Sequence, residues 1–228
     1  MEFAPPSSIR VLLVDDHHLL TEALSGLLQR EPDIEIVGVA ASVAEVREAV
    51  RERMDVVLMD YLLPDGTGAE ATREIKRRWP TAKVIVLTAV ADDETMLDVV
   101  EAGADGYLTK ERAGSDVVSA VRAAHAGELL LPRAVAYGLA QKVAATRREF
   151  GTHIEVNDLT PRELEVLRAL VEGRSSRDIC AELYIAPNTL RTHVQNLLVK
   201  LQVHSKLEAV AYALRQQLVE VPSRELYS

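Results

Sequence analysis

The sequence predicts two domains: an α/β domain built on a doubly wound, five-stranded parallel sheet, and an all-α domain after it. Short apolar runs alternate with amphipathic segments over residues 9–126. Most of these runs lack strict apolar-polar alternation, as expected for strands that are buried on both faces. Residues 159–220 instead show helical periodicity and no strand signal. The segment GTHIEVND at 151–158 interrupts both patterns, which places the boundary between the domains there.

Strands and helices follow one another regularly in the first domain. The apolar runs predict strands at 9–14, 34–40, 55–59, 83–88 and 106–109. The amphipathic segments predict helices near 18–30, 43–53, 68–79, 92–102 and 114–126. Trp79-Pro80 marks a helix end, because the residue before a proline is pushed out of the α region.

Residues typical of helix starts predict four helices in the second domain. Thr160, Pro161 and Glu163 form a capping box with proline in the first turn. Ser175 caps the second helix, Pro187 begins a third, and 207–218 predicts a fourth. We therefore divide the chain into a disordered tail, a first domain, a linker with a helix, a second domain and a tail. Their ranges are 1–8, 9–128, 129–154, 155–220 and 221–228.

Composition limits the kind of protein. No apolar run approaches the roughly 20 residues that cross a bilayer, and the N-terminus lacks the features of a signal peptide. A single cysteine excludes an internal disulfide, as is typical of a reducing cytoplasm. The net charge of −9 is carried by the first half, whereas no acidic residue lies between Pro187 and Leu207. A local basic surface matters more for nucleic-acid binding than total charge.

Polar residues end four of the predicted strands. Asp15 and Asp16 follow the first strand, and Asp60, Thr88 and Lys110 end or follow three others. The carboxyl ends of parallel strands line the ligand crevice of an open sheet. Carboxylates, a hydroxyl and an ammonium group at that edge suit a divalent cation and a phosphoryl group. Mg²⁺ prefers such oxygen ligands and keeps several waters.

With these residues in this order, and with Pro64 and Gly68 after Asp60, residues 9–126 resemble the receiver domain of response regulators. The resemblance implies a flavodoxin-like or CheY-like sheet of strand order 2-1-3-4-5. It implies Asp60 as phospho-acceptor and a backbone carbonyl of Leu62 as a further Mg²⁺ ligand. The roles that it assigns to other residues are cation binding by Asp15 and Asp16, phosphate binding by Thr88 and Lys110, and an aromatic switch at Tyr107.

Leu62 and Val90 depart from this resemblance. In receivers these positions flank the hydrolytic water, and polar side chains there can orient it. We expect the aspartyl-phosphate to persist because both residues are apolar. His17 and His18 follow the acidic pair, and we interpret both as helix-entry residues rather than metal ligands.

The second domain carries the motifs LTPRE and TLRTHV and resembles the LuxR-type helix-turn-helix domain of the NarL/FixJ class. Leu190, Val194, Leu197, Leu198 and Leu201 mark the apolar face of the third helix. The opposite face is polar and basic, which suits the major groove. The resemblance implies base contacts by Arg191, Thr192 and Gln195. It also implies contacts to the DNA backbone by His193, Lys200, Ser205 and Lys206. Ala186 stands where a capping serine is usual, which weakens the start of this helix.

We predict a cytoplasmic transcriptional regulator of the two-component class with no membrane attachment. A sensor histidine kinase phosphorylates Asp60 with Mg²⁺, and a homodimer then binds double-stranded DNA. The protein is not an enzyme, apart from phosphoryl transfer to its own Asp60 and self-dephosphorylation.

Two alternatives come from other classes. An aspartate-nucleophile phosphohydrolase usually has a second Asp two residues after the nucleophile, where this chain has Leu62. The second alternative is a phosphorylation-independent regulator with a vestigial receiver. The intact set of polar residues argues against this alternative but leaves it open.

Overall fold

Residues 8–49, 51, 53–89, 93–129, 159–216 and 218–219 are described by the computed structural model. The linker helix and both tails predicted above lie outside these residues, apart from positions 8 and 129. The chain divides into two compact units, one containing the sheet and one containing the C-terminal helices.

A parallel five-stranded sheet forms the first unit. Its strands are ordered β2-β1-β3-β6-β7, which confirms the predicted doubly wound topology. Two further strands, β4 and β5, pair as a small antiparallel hairpin outside that sheet. The strands are β1 (Ile9–Val14), β2 (Ile34–Ala40), β3 (Val56–Asp60), β4 (Leu62–Leu63), β5 (Gly66–Thr67), β6 (Lys83–Thr88) and β7 (Gly106–Thr109).

Helices alternate with these strands along the chain. They are α1 (His18–Leu28), α2 (Val43–Ala49), α3 (Gly68–Arg78), α4 (Asp93–Glu101) and α5 (Lys110–His125). The start predicted for the last helix, at residue 114, was wrong, because α5 begins directly after β7 and contains Gly114. The two-strand hairpin was not predicted, since two-residue strands carry no periodicity.

Apolar side chains on one face of the sheet form a continuous core with α1 and α5. Val11, Leu13, Leu58 and Ile85 from the strands are all nearly inaccessible there. Successive side chains of a strand point to opposite faces, so Leu12, Val57 and Met59 are buried on the other face. Burial on both faces explains why the strands read as apolar runs, and it leaves only the strand ends for polar side chains.

Four helices are described in the C-terminal part of the chain: α6 (Pro161–Val171), α7 (Ser176–Glu182), α8 (Pro187–Leu201) and α9 (Lys206–Arg215). The predicted capping box is confirmed, because Thr160 Oγ1 accepts from Glu163 N–H while Glu163 Oε2 accepts from Thr160 N–H. Ser175 caps α7 as predicted. Ala186 precedes Pro187 and offers no side-chain cap to α8, also as predicted.

One face of α8 is packed into the helical unit. Leu190, Val194, Leu197 and Leu201 are buried, whereas Leu198 is only partly buried. The helix contacts α6, α7 and α9. This packing fixes which face of α8 is left to solvent.

Candidate functional site

An acidic cluster lies at the carboxyl ends of β1 and β3. Asp15 and Asp60 are each 2% exposed, whereas Asp16 is exposed. Ligand atoms of Asp15, Asp16, His17 and Asp60 all lie within 4.8 Å of one another. The structure therefore brings together the three carboxylates that the sequence singled out, because β1 and β3 are adjacent parallel strands.

Lys110 bridges the two buried carboxylates of this cluster. Its Nζ lies 2.7 Å from Asp60 Oδ2, to which it donates a hydrogen bond, and 2.8 Å from Asp15 Oδ2. Lys110 is the first residue of α5, directly after β7, so the strand end and the helix start together aim the ammonium group at Asp60. Lys110, for which the resemblance implies phosphate binding, forms an ion pair with both buried carboxylates in this structure.

The charges of the site shift each other's protonation. Burial raises the pKa of the Asp60 carboxyl and the Asp15 charge raises it further, while the Lys110 hydrogen bond acts in the opposite direction. Burial lowers the pKa of Lys110, but hydrogen bonds to Asp15 and Asp60 outweigh that effect and leave the pKa raised. Lys110 therefore favours the ionised form of the Asp60 carboxyl, while burial and the Asp15 charge oppose it.

Cation chemistry fits these residues. Asp15 Oδ2 is buried, and the Lys110 ammonium group lies 2.8 Å from it as its ion-pair partner. One ammonium group beside three carboxylates leaves negative charge uncompensated, and buried charge is costly unless a further cation compensates it. Three carboxylates, of which Asp16 is exposed to solvent, match the ligation that Mg²⁺ prefers.

Thr88 and Tyr107 lie on the neighbouring strands. Thr88 ends β6, which pairs with β3, and is 5% exposed. Tyr107 lies on β7 and is 2% exposed. Its side chain is therefore already buried, which is the position that the resemblance assigns to the phosphorylated state. Val90, named above with Leu62, lies outside the described residues.

The loop after Asp60 is held by contacts that the sequence analysis missed. Asp65 accepts hydrogen bonds from the backbone of Val43 at 2.7 Å and Ala44 at 3.0 Å, and so caps α2. These hydrogen bonds lower the pKa of Asp65. Leu62 N–H approaches Asp60 Oδ1 at 3.4 Å, and the Leu62 side chain is 68% exposed. No local pattern predicted the Asp65 cap, because its partners are 21 and 22 residues away.

His17 also lies in the site, contrary to our interpretation of it as a helix-entry residue alone. It does precede α1, but its Nδ1 lies 3.0 Å from oxygens of both Asp15 and Asp16. His18 is exposed and belongs to α1 itself. Two adjacent histidines in a sequence give no sign of which one turns towards the acidic cluster.

The second unit presents the predicted base-contacting residues on one exposed face of α8. Arg191, Thr192 and Gln195 are all exposed. The helix has an apolar face against its own domain and this polar face in solvent. Such an arrangement suits insertion into a major groove.

The predicted backbone contacts fall into two groups. His193 and Lys206 are partly exposed. Lys200 donates to the buried Glu163 at 2.7 Å, so its ammonium group is already engaged within the domain. Ser205 is 1% exposed and caps α9 by accepting from Glu208 N–H. We do not retain Ser205 among the proposed phosphate contacts, because its hydroxyl is buried in that cap.

Comparison with known proteins identifies both halves. The response regulator receiver domain matches residues 11–122, and the luxR family of bacterial regulatory proteins matches residues 157–213. Among the described residues, no helix is long and apolar enough to cross a bilayer.

Individual proteins resemble the chain over most of its length. Transcriptional regulatory protein LiaR of Bacillus subtilis is 41% identical over 92% of this chain and 99% of its own. Response regulator protein VraR of Staphylococcus epidermidis is 34% identical over 93% of this chain and 100% of its own. A LuxR-family two-component response regulator from Aurantimonas sp. is 34% identical, with a TM-score of 0.55, over 60% of this chain and 98% of that chain. The chain therefore belongs to the two-component response regulators that join a receiver domain to a LuxR-type DNA-binding domain.

Proposed function

We propose that the protein is a phosphorylation-dependent transcriptional regulator in which Asp60 accepts a phosphoryl group from a sensor histidine kinase. The observation that carries this proposal is the placement of Asp60. It is buried beside a second carboxylate, Asp15, and 2.7 Å from the ammonium group of Lys110. An aspartate with a purely structural role would not require a second buried carboxylate and an ammonium group beside it. Here these groups come from the ends of three different strands.

The chemistry follows from these groups. A carboxylate oxygen of Asp60 attacks the phosphorus atom, the bond from phosphorus to the kinase histidine breaks, and an acyl phosphate forms. Asp15, Asp16, Asp60 and the Leu62 carbonyl would hold Mg²⁺, which would supply positive charge against the incoming phosphoryl group. Lys110 stabilises a phosphate oxygen, and the Thr88 hydroxyl donates a hydrogen bond to another.

The output is DNA binding by the second domain. Phosphorylation at Asp60 shifts the receiver between two states through Thr88 and Tyr107, and the shifted receiver forms a homodimer. The dimer places two copies of α8 on two half-sites of double-stranded DNA, where Arg191, Thr192 and Gln195 read bases. His193, Lys200 and Lys206 contact phosphates, Lys200 only if it leaves Glu163.

The test is treatment with acetyl phosphate, or with beryllofluoride, in the presence of Mg²⁺. We expect one phosphoryl adduct by intact mass after acetyl phosphate, and a monomer-to-dimer shift in light scattering with either reagent. Both are lost in Asp60→Asn, whereas Asp116→Asn, which changes an aspartate of α5 outside the acidic cluster, keeps the adduct. Wild-type protein that forms no adduct under these conditions would contradict the proposal and favour a regulator that works without phosphorylation.

A further inference from the structure

The side chain of His17 turns away from the helix that it precedes. His17 occupies the N-cap position of α1, where a side chain commonly accepts from a free helix N–H, yet it makes no such hydrogen bond. Its own backbone N–H donates to Asp15 Oδ1 at 2.8 Å. The carboxylate at the centre of the acidic cluster therefore holds the His17 backbone, and the ring faces that cluster.

The ring nitrogen has the spacing of a metal ligand. His17 Nδ1 lies 3.0 Å from Asp15 Oδ1, 3.0 Å from Asp16 Oδ1 and 3.9 Å from Asp60 Oδ2. Ligands about 2.1 Å from an octahedral ion are about 3 Å apart when adjacent and about 4 Å apart when opposite. The three distances from His17 Nδ1 therefore fit a position next to Asp15 and Asp16, and opposite Asp60, in one coordination sphere.

We propose that His17 Nδ1 is a ligand of the divalent cation at Asp60, so that the site takes nitrogen-preferring cations such as Co²⁺ as well as Mg²⁺. This inference rests on the cation site of the proposed function. Carboxylate and water ligands suit Mg²⁺ and Mn²⁺, whereas an added imidazole favours the later divalent metals. Because His17 is 67% exposed, ions reach it from solvent without displacing the core.

A competing role for the same contacts is hydrogen bonding alone. An Nδ1–H group donates to the carboxylates at these distances and needs no ion. The two roles differ in one observable. A ligand nitrogen couples magnetically to a paramagnetic ion, whereas a ring that only donates hydrogen bonds to the carboxylates has no bond to the ion.

The experiment uses the full chain with Mn²⁺ as probe, followed by pulsed electron paramagnetic resonance. We expect a nitrogen coupling in the wild type that disappears in His17→Ala and persists in His18→Ala. His18 is the matched control, since it is adjacent, exposed and not among the clustered ligands. Excess Mg²⁺ removes the coupled signal if Mn²⁺ occupies the Asp60 site rather than a histidine elsewhere.

Calorimetric titration supplies a second measurement. His17→Ala should weaken Co²⁺ binding by about 10-fold or more, because even partners outside the coordination sphere cost that much. It should weaken Mg²⁺ binding less, because Mg²⁺ prefers oxygen ligands. Bound Mn²⁺ with no nitrogen coupling in the wild type, or unchanged Co²⁺ affinity in His17→Ala, would overturn the inference and leave the phosphorylation site intact. Failure of the wild type to bind Mg²⁺ or Mn²⁺ at all would overturn both.

Discussion

Gly68 and Asp60 approach so closely that no side chain fits between them. A Cβ atom on Gly68 would lie 2.2 Å from the backbone oxygen of Asp60. The Gly68 N–H also donates to Tyr61 O at 2.7 Å. The first residue of α3 is thus packed against the strand end that presents the acidic site, and the missing side chain of Gly68 sets the position of Asp60.

Gly68→Ala should therefore slow phosphorylation of Asp60, although the added methyl group does not touch the reacting atoms. The methyl group forces the backbone at Asp60 to shift, because the obstructing atom is a carbonyl oxygen and not a flexible side chain. Overpacking of this kind costs about 1–3 kcal/mol of stability. A displacement near 1 Å slows reaction by about 100-fold. The measurements are urea unfolding and the rate of adduct formation with acetyl phosphate.

Gly114→Ala is the matched control for this change. Gly114 lies within α5, and nothing lies within 4 Å of its added Cβ. An alanine there should stabilise the helix by about 0.5–1 kcal/mol and leave phosphorylation unchanged. Equal phosphorylation rates in Gly68→Ala and the wild type would contradict the positioning role of Gly68.

Lys110→Met should make the stability of the receiver depend on divalent cation. Without the ammonium group, Asp15 and Asp60 remain buried and uncompensated, a loss of about 3 kcal/mol. A bound cation restores the missing positive charge. We expect a lower Tm in the variant, recovered largely by Mg²⁺, whereas the wild type gains less. Arg112→Met removes an exposed i,i+4 ion pair of the same helix and should change the Tm little.

The strands and the acidic site were predictable from local sequence because their determinants are local. Strands buried on both faces read as apolar runs, so the first polar residue after each run marks the edge of the sheet. Asp15, Asp60 and Lys110 were found in this way, and parallel pairing then brought them together. The capping box at Thr160 is local for the same reason, as its two partners are three residues apart.

The remaining features depend on contacts that no short window contains. The start of α5 was predicted at residue 114 and not at Lys110, because Thr109 forms no side-chain cap that would mark the start. Ser205 was taken for a surface residue, yet packing buries it under a helix cap. The direction of the His17 ring follows from the position of the Asp15 carboxylate, which only the folded strand end defines.

The pairing of Glu163 with Lys200 should give the second domain a pH-dependent stability. Burial raises the pKa of Glu163, but hydrogen bonds from Lys200 and from the Thr160 backbone outweigh it and hold the pKa below its usual 4.5. A carboxyl whose folded-state pKa is lowered stabilises the fold above the unfolded pKa. That contribution is lost as the pH falls from about 4.5 through the lower pKa of the folded state.

Glu163→Gln should therefore lower the free energy of unfolding at pH 7 by about 1.5 kcal/mol. The difference from wild type should shrink as the pH falls below 4.5. Urea titration followed through NMR signals of α6 and α8 measures it without interference from the first unit. Glu165→Gln removes an exposed pairing with Arg162 and should show neither effect. If the free energy of unfolding of Glu163→Gln lay below that of the wild type by the same amount at every pH, the role of the Glu163 charge would be disproved.

Arg191→Ala should reduce sequence discrimination more than it reduces DNA binding in general. A bidentate contact from arginine to guanine contributes about 1–3 kcal/mol of discrimination. We expect a loss of that size on a duplex chosen by in vitro selection and a smaller loss on a scrambled duplex, both at one salt concentration. The control is Arg168→Ala, which removes the same charge from an exposed position of α6. Equal losses on the two duplexes would show that Arg191 contacts only phosphate.

Leu62 should slow hydrolysis of the aspartyl-phosphate, because its exposed apolar side chain cannot orient an attacking water. We expect the phosphoryl group on the isolated protein to last well beyond seconds. Leu62→Asn adds a polar group at this position and should speed dephosphorylation by about 10-fold, without loss of adduct formation. Leu62→Ala separates two causes, since it removes the apolar cover without adding a polar group. A wild-type half-life of seconds, or identical rates in Leu62→Asn and wild type, would disprove this role. If Leu62→Ala were as fast as Leu62→Asn, exclusion of water rather than its orientation would set the lifetime.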